Sequence, residues 1–187
     1  RGHVLEPVRG VEAALERDYQ AFLETARTIG GSRPPADVMR TIAPQHPDSD
    51  GLIDFASSTT EKIREFVVER NIIPIPSNER PRIEETPPYA RDAGFASMDT
   101  PGPHEKNAKD AFYYITPVEN AWTAAHKEEH LRLFNRPVMD IITVHEAYPG
   151  HHWHLSYMAG NPRTVRKVFR TPYFTEGWAL YVEKLLH

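Results

Sequence analysis

Apolar residues recur at three- and four-residue spacing near the start of the chain. Val8, Val11, Leu15, Tyr19, Phe22, Leu23 and Ala26 form one stripe, which predicts an amphipathic helix over 4–29 that Gly30 and Gly31 end. Pro34 and Pro35 open a short second helix. A third, over about 52–70, carries Leu52, Phe55, Ile63, Phe66 and Val67 on one side. The run SSTT at 57–60 is expected to interrupt it, with Thr59 or Thr60 capping a second piece. Between 71 and 117 the pattern changes to short apolar runs punctuated by proline, at 72–75, 83–86, 95–98 and 111–115. These read as short strands and loops, and their prolines favour sheet edges. Helical periodicity returns over about 121–134, 137–158, 162–169 and 173 to the end.

This order predicts a mostly α fold with a small Pro-rich β element, an α+β arrangement. Three regions follow from it: an N-terminal helical region at 1–70, a short-strand region at 71–120 and a closing helical region at 121–187. Together they read as one truncated domain. Arg1 is not a native start, so the sequence cannot be searched for a signal peptide. The apolar pattern runs on to His187 without a stop signal. The chain therefore reads as a fragment, with the remainder of its parent polypeptide expected beyond His187.

Composition narrows the chemistry. The 187 residues hold 22 Lys+Arg against 26 Asp+Glu, so no basic surplus points to nucleic acid or anionic lipid. No apolar run reaches the roughly 20 residues of a membrane span. Neither a nucleic-acid nor a membrane partner is expected. Without cysteine there can be no disulfide, thiolate metal site or cysteine nucleophile. The compartment stays open, with a slight preference for the cytoplasm. Ten histidines remain, four of them within 145–154.

Those four lie in the run HEAYPGHHWH. An apolar helix leads into His145-Glu146, the pair with which a zinc-peptidase helix begins: one imidazole on the metal, then a carboxylate acting on water. The second imidazole normally comes four residues after the first, but here that position is Pro149. On a straight helix His151 would sit about 120° round from His145, and His152 on its face but about 10 Å further along. Pro149 cannot donate to the residue 145 carbonyl and its ring clashes there, while Gly150 accepts unusual backbone angles. A loop-out of about two residues makes His151 the second ligand, with His152 left open as the alternative. Glu176, on the next strong helix, is the best third donor. Two imidazoles and one carboxylate leave one position open on a single Zn²⁺, as catalytic sites do. Asp140 is a candidate to orient a ligand imidazole.

HEAYPGHH at 145–152, followed by FTEGWALY at 174–181, resembles a bacterial family of unassigned function. That family is distantly similar to the gluzincin metallopeptidases, among them thimet oligopeptidase, the thermostable carboxypeptidases and angiotensin-converting enzyme. EETPPY at 84–89, FASMDTPGP at 95–103 and AFYYITP at 111–117 extend the resemblance over most of 60–187. It implies a gluzincin-like peptidase in which His145, His151 and Glu176 bind zinc and Glu146 is the catalytic general base. It also implies that the strand over 111–116 lines the cleft and holds an extended peptide substrate. In such enzymes a tyrosine or histidine beyond the third ligand stabilises the oxyanion. Only 11 residues follow Glu176, so that group is expected to be absent.

Plainer readings compete. Tyr113, Tyr114 and Tyr148 are candidate substrate contacts, yet a tyrosine beside Trp153 or on one face of a strand is more often core. His126 and His130 could pair on a metal, but their charged neighbours suggest a solvated face. The whole could also be a catalytically incomplete binding or structural module on the same fold, or a histidine-rich metal store.

Overall fold

The computed structural model describes the backbone from residue 5 and the side chains from residue 10; the expected helix start at residue 4 and the side chain of Val8 lie outside the described residues. The chain divides into two compact units, residues 1–45 and 46–187. The first holds α1 (Leu5–Gly30) and α2 (Pro35–Ile42). Gly31, at φ +64°, turns the chain out of α1 in the left-handed region that glycine enters without a Cβ penalty.

The second unit opens with α3 (Leu52–Glu69), which is continuous through the SSTT run. Its hydroxyls explain why no break occurs. Ser57, Ser58 and Thr60 each donate to a carbonyl one turn back, at 2.8, 3.0 and 2.8 Å, so they leave the helix ladder intact. Thr59 and Thr60 lie on the buried face with Leu52, Ala56 and Val67. Asn71, at φ +50°, follows the helix in a conformation that asparagine tolerates. The textural change at residue 71 is therefore not a structural boundary. α3 packs in the same unit as everything after it.

Three strands follow: β1 (Arg82–Glu85), β2 (Ala96–Asp99) and β3 (Phe112–Ile115). The run at 72–75 forms none. The sheet order is β1-β3-β2, with β3 parallel to β1 and antiparallel to β2. β3 is thus the central strand, which corrects the expectation of a proline-marked edge at 111–116. Pro117 lies past the last paired residue and removes no ladder bond. Tyr113 and Ile115 point into the core, while Phe112 and Tyr114 stack on the opposite face, 5.5 Å apart. A buried hydroxyl pair, Thr86 to Thr116 at 2.9 Å, closes the end of the sheet.

Helices α4 (Ala124–Leu131), α5 (Arg136–Glu146), α6 (His151–Gly160), α7 (Thr164–Val168) and α8 (Pro172–Leu186) complete the unit. α5 is its axis, packing on α3, β2 and α8. Trp153, Tyr113, Tyr148, Phe134, Leu52, Ile115 and Met139 are the largest fully buried side chains. Burying Phe134, Leu52, Ile115 or Met139 is worth roughly 1.5–3 kcal/mol each. Among the described residues no helix is long and apolar enough to cross a membrane.

Phe134 is fully buried and packs edge-on against Phe95 and His130. Phe134→Ala is expected to cost about 3–5 kcal/mol, measurable as a lowered urea midpoint at unchanged slope.

Candidate metal centre

α5 forms because Asn135 caps it, accepting from the Val138 N–H, and because Pro137 sits in its first turn, where no N–H is needed. Its ladder ends where Ala147 and Tyr148 both donate to the Thr143 carbonyl, at 2.8 and 3.2 Å. α6 starts at His151, and the His154 N–H returns to the Gly150 carbonyl at 3.0 Å. Residues 147–150 fold back over the last turn of α5. A Cβ on Gly150 would lie 1.8 Å from the His145 carbonyl oxygen and 2.3 Å from that of Val144. Only glycine fits there. The result brings His151 beside His145, their rings perpendicular with centroids 4.7 Å apart.

α8 supplies the rest. Thr171 caps it and Pro172 opens it. The Trp178 indole donates to the Pro149 carbonyl at 3.0 Å, so α8 is tied directly to the break. Glu176 Oε2 lies 3.6 Å from His145 Nε2 and 3.4 Å from His151 Nε2. Donor atoms of these three residues all fall within 4.8 Å of one another. Two turns further along α8, Glu183 meets the other side of the same imidazole, with His145 Nδ1 2.6 Å from its carboxylate. That contact sets the tautomer: Nδ1–H donates to Glu183, and the Nε2 lone pair faces Glu176. Sequence reasoning missed Glu183. Its signal was the i, i+7 spacing to Glu176, which puts both carboxylates within about 20° on one helix face. His151 has no such partner; its Nδ1 is buried and unbonded among the described residues.

Burial dominates the electrostatics. It pushes the Glu146 carboxyl up to about 7, with Glu176 adding to the rise and His145 and the Met98 backbone amide opposing it. The amide comes from β2. Phe95 and Thr116 form a bonded pair across β2 and β3, so alternation turns the Met98 N–H and C=O to the free edge, towards α5. Burial lowers His151, helped by His145 and opposed by Glu176. It lowers His152 to about 4 and also lowers His154, the latter with help from His151 and Arg170.

Of the residues singled out in the sequence, His145, His151 and Glu176 converge, with Glu146 beside them. The others do not. His152 is outside the cluster, packed against Tyr148 with ring centroids 5.5 Å apart. Asp140 lies five residues before His145 on α5, near Arg136 and Lys62, where burial raises it; Glu183 takes the orienting place instead. Tyr113 and Tyr148 are fully buried and offer a substrate no surface, which corrects both as contacts. The Tyr113 hydroxyl is 3.4 Å from Thr143 Oγ1. Tyr114 stacks on Phe112, on the sheet face opposite Tyr113. His126 and His130 form no metal pair: His130 Nε2 bonds the Thr116 carbonyl at 2.8 Å, and His126 stacks on Trp122.

Residues 10–187 match the family described as "Bacterial protein of unknown function (DUF885)". The chain belongs to this family. No curated protein matches it significantly. Two solved structures share the fold of this DUF885 chain. One is described as "a putative lipoprotein of unknown function from Shewanella oneidensis": 23% identity, TM-score 0.75, covering 94% of this chain and 33% of that one. The other, a "putative lipoprotein from Colwellia psychrerythraea", has 19% identity and a TM-score of 0.66, covering 91% and 28%. The chain thus spans about a third of the length of these structures.

Two outcomes follow. Gly150→Ala is expected to separate His151 from His145 and to destabilise the fold by about 1–3 kcal/mol or more. Denaturation, and loss of the cross-peaks between the two imidazoles in NMR, check it. The second concerns pH. A histidine lowered by burial contributes stability above its unfolded value near 6.5, and that stability is lost as pH falls through the folded value. For His152 the window is about 6.5 to 4. Glu146 acts in the opposite sense, losing stability as pH rises from about 4.5 to about 7. Replacing His152 isolates its part: His152→Leu should gain on the order of 1–2 kcal/mol relative to wild type between pH 7 and pH 5, read from paired urea titrations.

Proposed function

We propose that this chain carries a one-zinc centre that hydrolyses peptide or related amide bonds, on a gluzincin-like arrangement of α5, α6 and α8. One observation carries the reading: two imidazoles and a carboxylate converge, with a fourth group, Glu183, orienting one of the imidazoles. The donor set fits the ion. Ligand atoms about 2.0–2.1 Å from a tetrahedral zinc stand about 3.3 Å apart; the two histidine–Glu176 separations are 3.4 and 3.6 Å, and all three donor atoms lie within 4.8 Å of one another, so a small inward shift of the imidazoles would complete the set. Two nitrogens and one carboxylate oxygen leave the fourth position open, as in catalytic rather than structural zinc sites.

When bound, the ion supplies Lewis acidity to water and to an amide carbonyl. The chain's own groups do the rest. His145, locked by Glu183, keeps its Nε2 aimed at the centre. Glu146 is the general base. Its carboxylate, set beside the three donors, takes a proton from water and returns it to the leaving amine. The peptide runs along β2 rather than β3, because β2 has the unpaired edge and its Met98 amide already faces Glu146. An extended substrate adds to such an edge through main-chain hydrogen bonds. The two similar structures are described as lipoproteins, which speaks for a membrane-tethered parent protein and lends the cytoplasmic expectation no support.

Metal analysis and turnover test this together. Wild type should hold one zinc per chain, and His145→Ala or Glu176→Ala none at micromolar metal. Glu183→Gln should weaken binding about 10–100-fold. Glu146→Gln should keep the zinc while losing at least about 100-fold in peptide hydrolysis. Equal zinc content in wild type and His145→Ala would remove the metal site. Zinc bound without Glu146-dependent hydrolysis would leave this chain as the metal-binding portion of such an enzyme or as a binding or structural module.

A further inference from the structure

Between Glu146 and Glu176 the chain carries no acidic residue, yet it carries Arg163, Arg166, Lys167 and Arg170. Arg166 and Arg170 border a cavity of about 520 Å³ whose wall includes His154, Asn161, Thr171 and Phe174. That volume lies in the range of small-molecule sites. No acidic side chain lines it, and no ion pair engages either arginine among the described residues. Glu105 shares a neighbouring groove with Arg170, but its carboxylate already accepts from the Lys106 and Asn107 amides, both at 2.7 Å.

His154 is the second, independent observation. It is 7% exposed, and neither ring nitrogen has a hydrogen-bond partner. A neutral imidazole always has one N–H to give and one lone pair to fill. Here both are left over, in the wall of a cavity flanked by two guanidinium groups. The place also matters. His154 is one turn beyond His151 on α6, and the cavity reaches Thr175, which precedes Glu176. The cavity wall thus includes side chains of α6 and α8, the helices that carry two of the three proposed ligands, His151 and Glu176.

We propose that this cavity is a carboxylate subsite of the cleft, in which Arg166 and Arg170 hold the carboxylate of a bound peptide and His154 supplies a further donor. The inference rests on the peptidase reading for the identity of the ligand. Guanidinium forks suit a planar carboxylate better than an ammonium group does, because they can donate two parallel bonds. The carboxylate has two possible sources, the C-terminus of the peptide or an acidic side chain near the scissile bond.

Calorimetric titration with matched short peptides tests it, with and without added zinc. The set comprises a free acid, its C-terminal amide, and an amide carrying one Glu. The free acid or the Glu-containing amide is expected to bind at least tenfold tighter than the plain amide, and which of the two does so names the source. The double variant R166Q/R170Q should bring that ratio close to one while zinc content stays at the wild-type value. Equal binding of all three peptides overturns the proposal, as does a preference that survives in the double variant. Competition by inorganic phosphate as strong as by the free acid also overturns it. An acid preference in a protein that binds no zinc would sink the peptidase reading and leave the carboxylate subsite standing.

Discussion

The second unit turns on the contact between Gly150 and the Val144 and His145 carbonyls, in the last turn of α5. A helix that ran straight through 145–152 would point His151 away from His145 and carry His152 too far along the axis. The proline removes the hydrogen bond that would continue the helix. The glycine then lets the backbone lie where any side chain would collide with the Val144 and His145 carbonyls. Neither residue suffices alone: proline without glycine ends α5 with no route back, and glycine without proline leaves the helix free to continue. Their combination allows α6 to restart beside the end of α5, so the two histidines meet although six positions separate them.

α8 converts that local break into a fixed site. One helix touches it at three heights: Glu176 at both imidazoles, Trp178 at the Pro149 carbonyl and Glu183 behind His145. The tryptophan bond is structural, satisfying a carbonyl inside the break that has no helical partner. The Glu183 bond has little structural need, because an imidazole at this depth could have turned to water. Its consequence is directional, since it fixes which nitrogen faces the cluster. Packing of α8 on α5 therefore decides both whether the donors meet and which atoms they present.

Much of this was legible in the sequence where side-chain chemistry is local. Helix existence followed from apolar spacing, and the pairing of His145 with His151 followed from the proline and glycine between them. The failures share a cause. SSTT reads as a breaker because hydroxyls compete with the backbone, but on α3 the side chains return their bonds to the preceding turn. The strand over 112–115 reads as an edge because of a nearby proline, yet strand order depends on partners 30 residues away at β1 and 13 to 19 at β2. Tyr113 and Tyr148 stayed open between substrate contact and core because a sequence shows that a phenol is present, not which way the backbone turns it; both are core. Glu183 escapes a sequence reading because it stands 38 residues from the imidazole it orients, whereas Asp140 stands only five away.

On the proposed reading, the charges around the cluster are arranged for a cation. Burial holds His151 on the neutral side, which suits a metal ligand because a protonated imidazole has no lone pair to give. It also drives the Glu146 carboxyl up to about 7, an expensive state for a group that could have stayed in water. On the proposed reading a dication offsets both. Two neutral imidazoles and the Glu176 carboxylate leave the centre with one net positive charge, and an ionised Glu146 beside it brings the total to zero. Without the ion, the nearest compensation for Glu146 is the Met98 amide and whatever charge His145 carries, while Glu176 repels it. On that reading, binding rather than packing is what brings these four side chains to one corner of the fold.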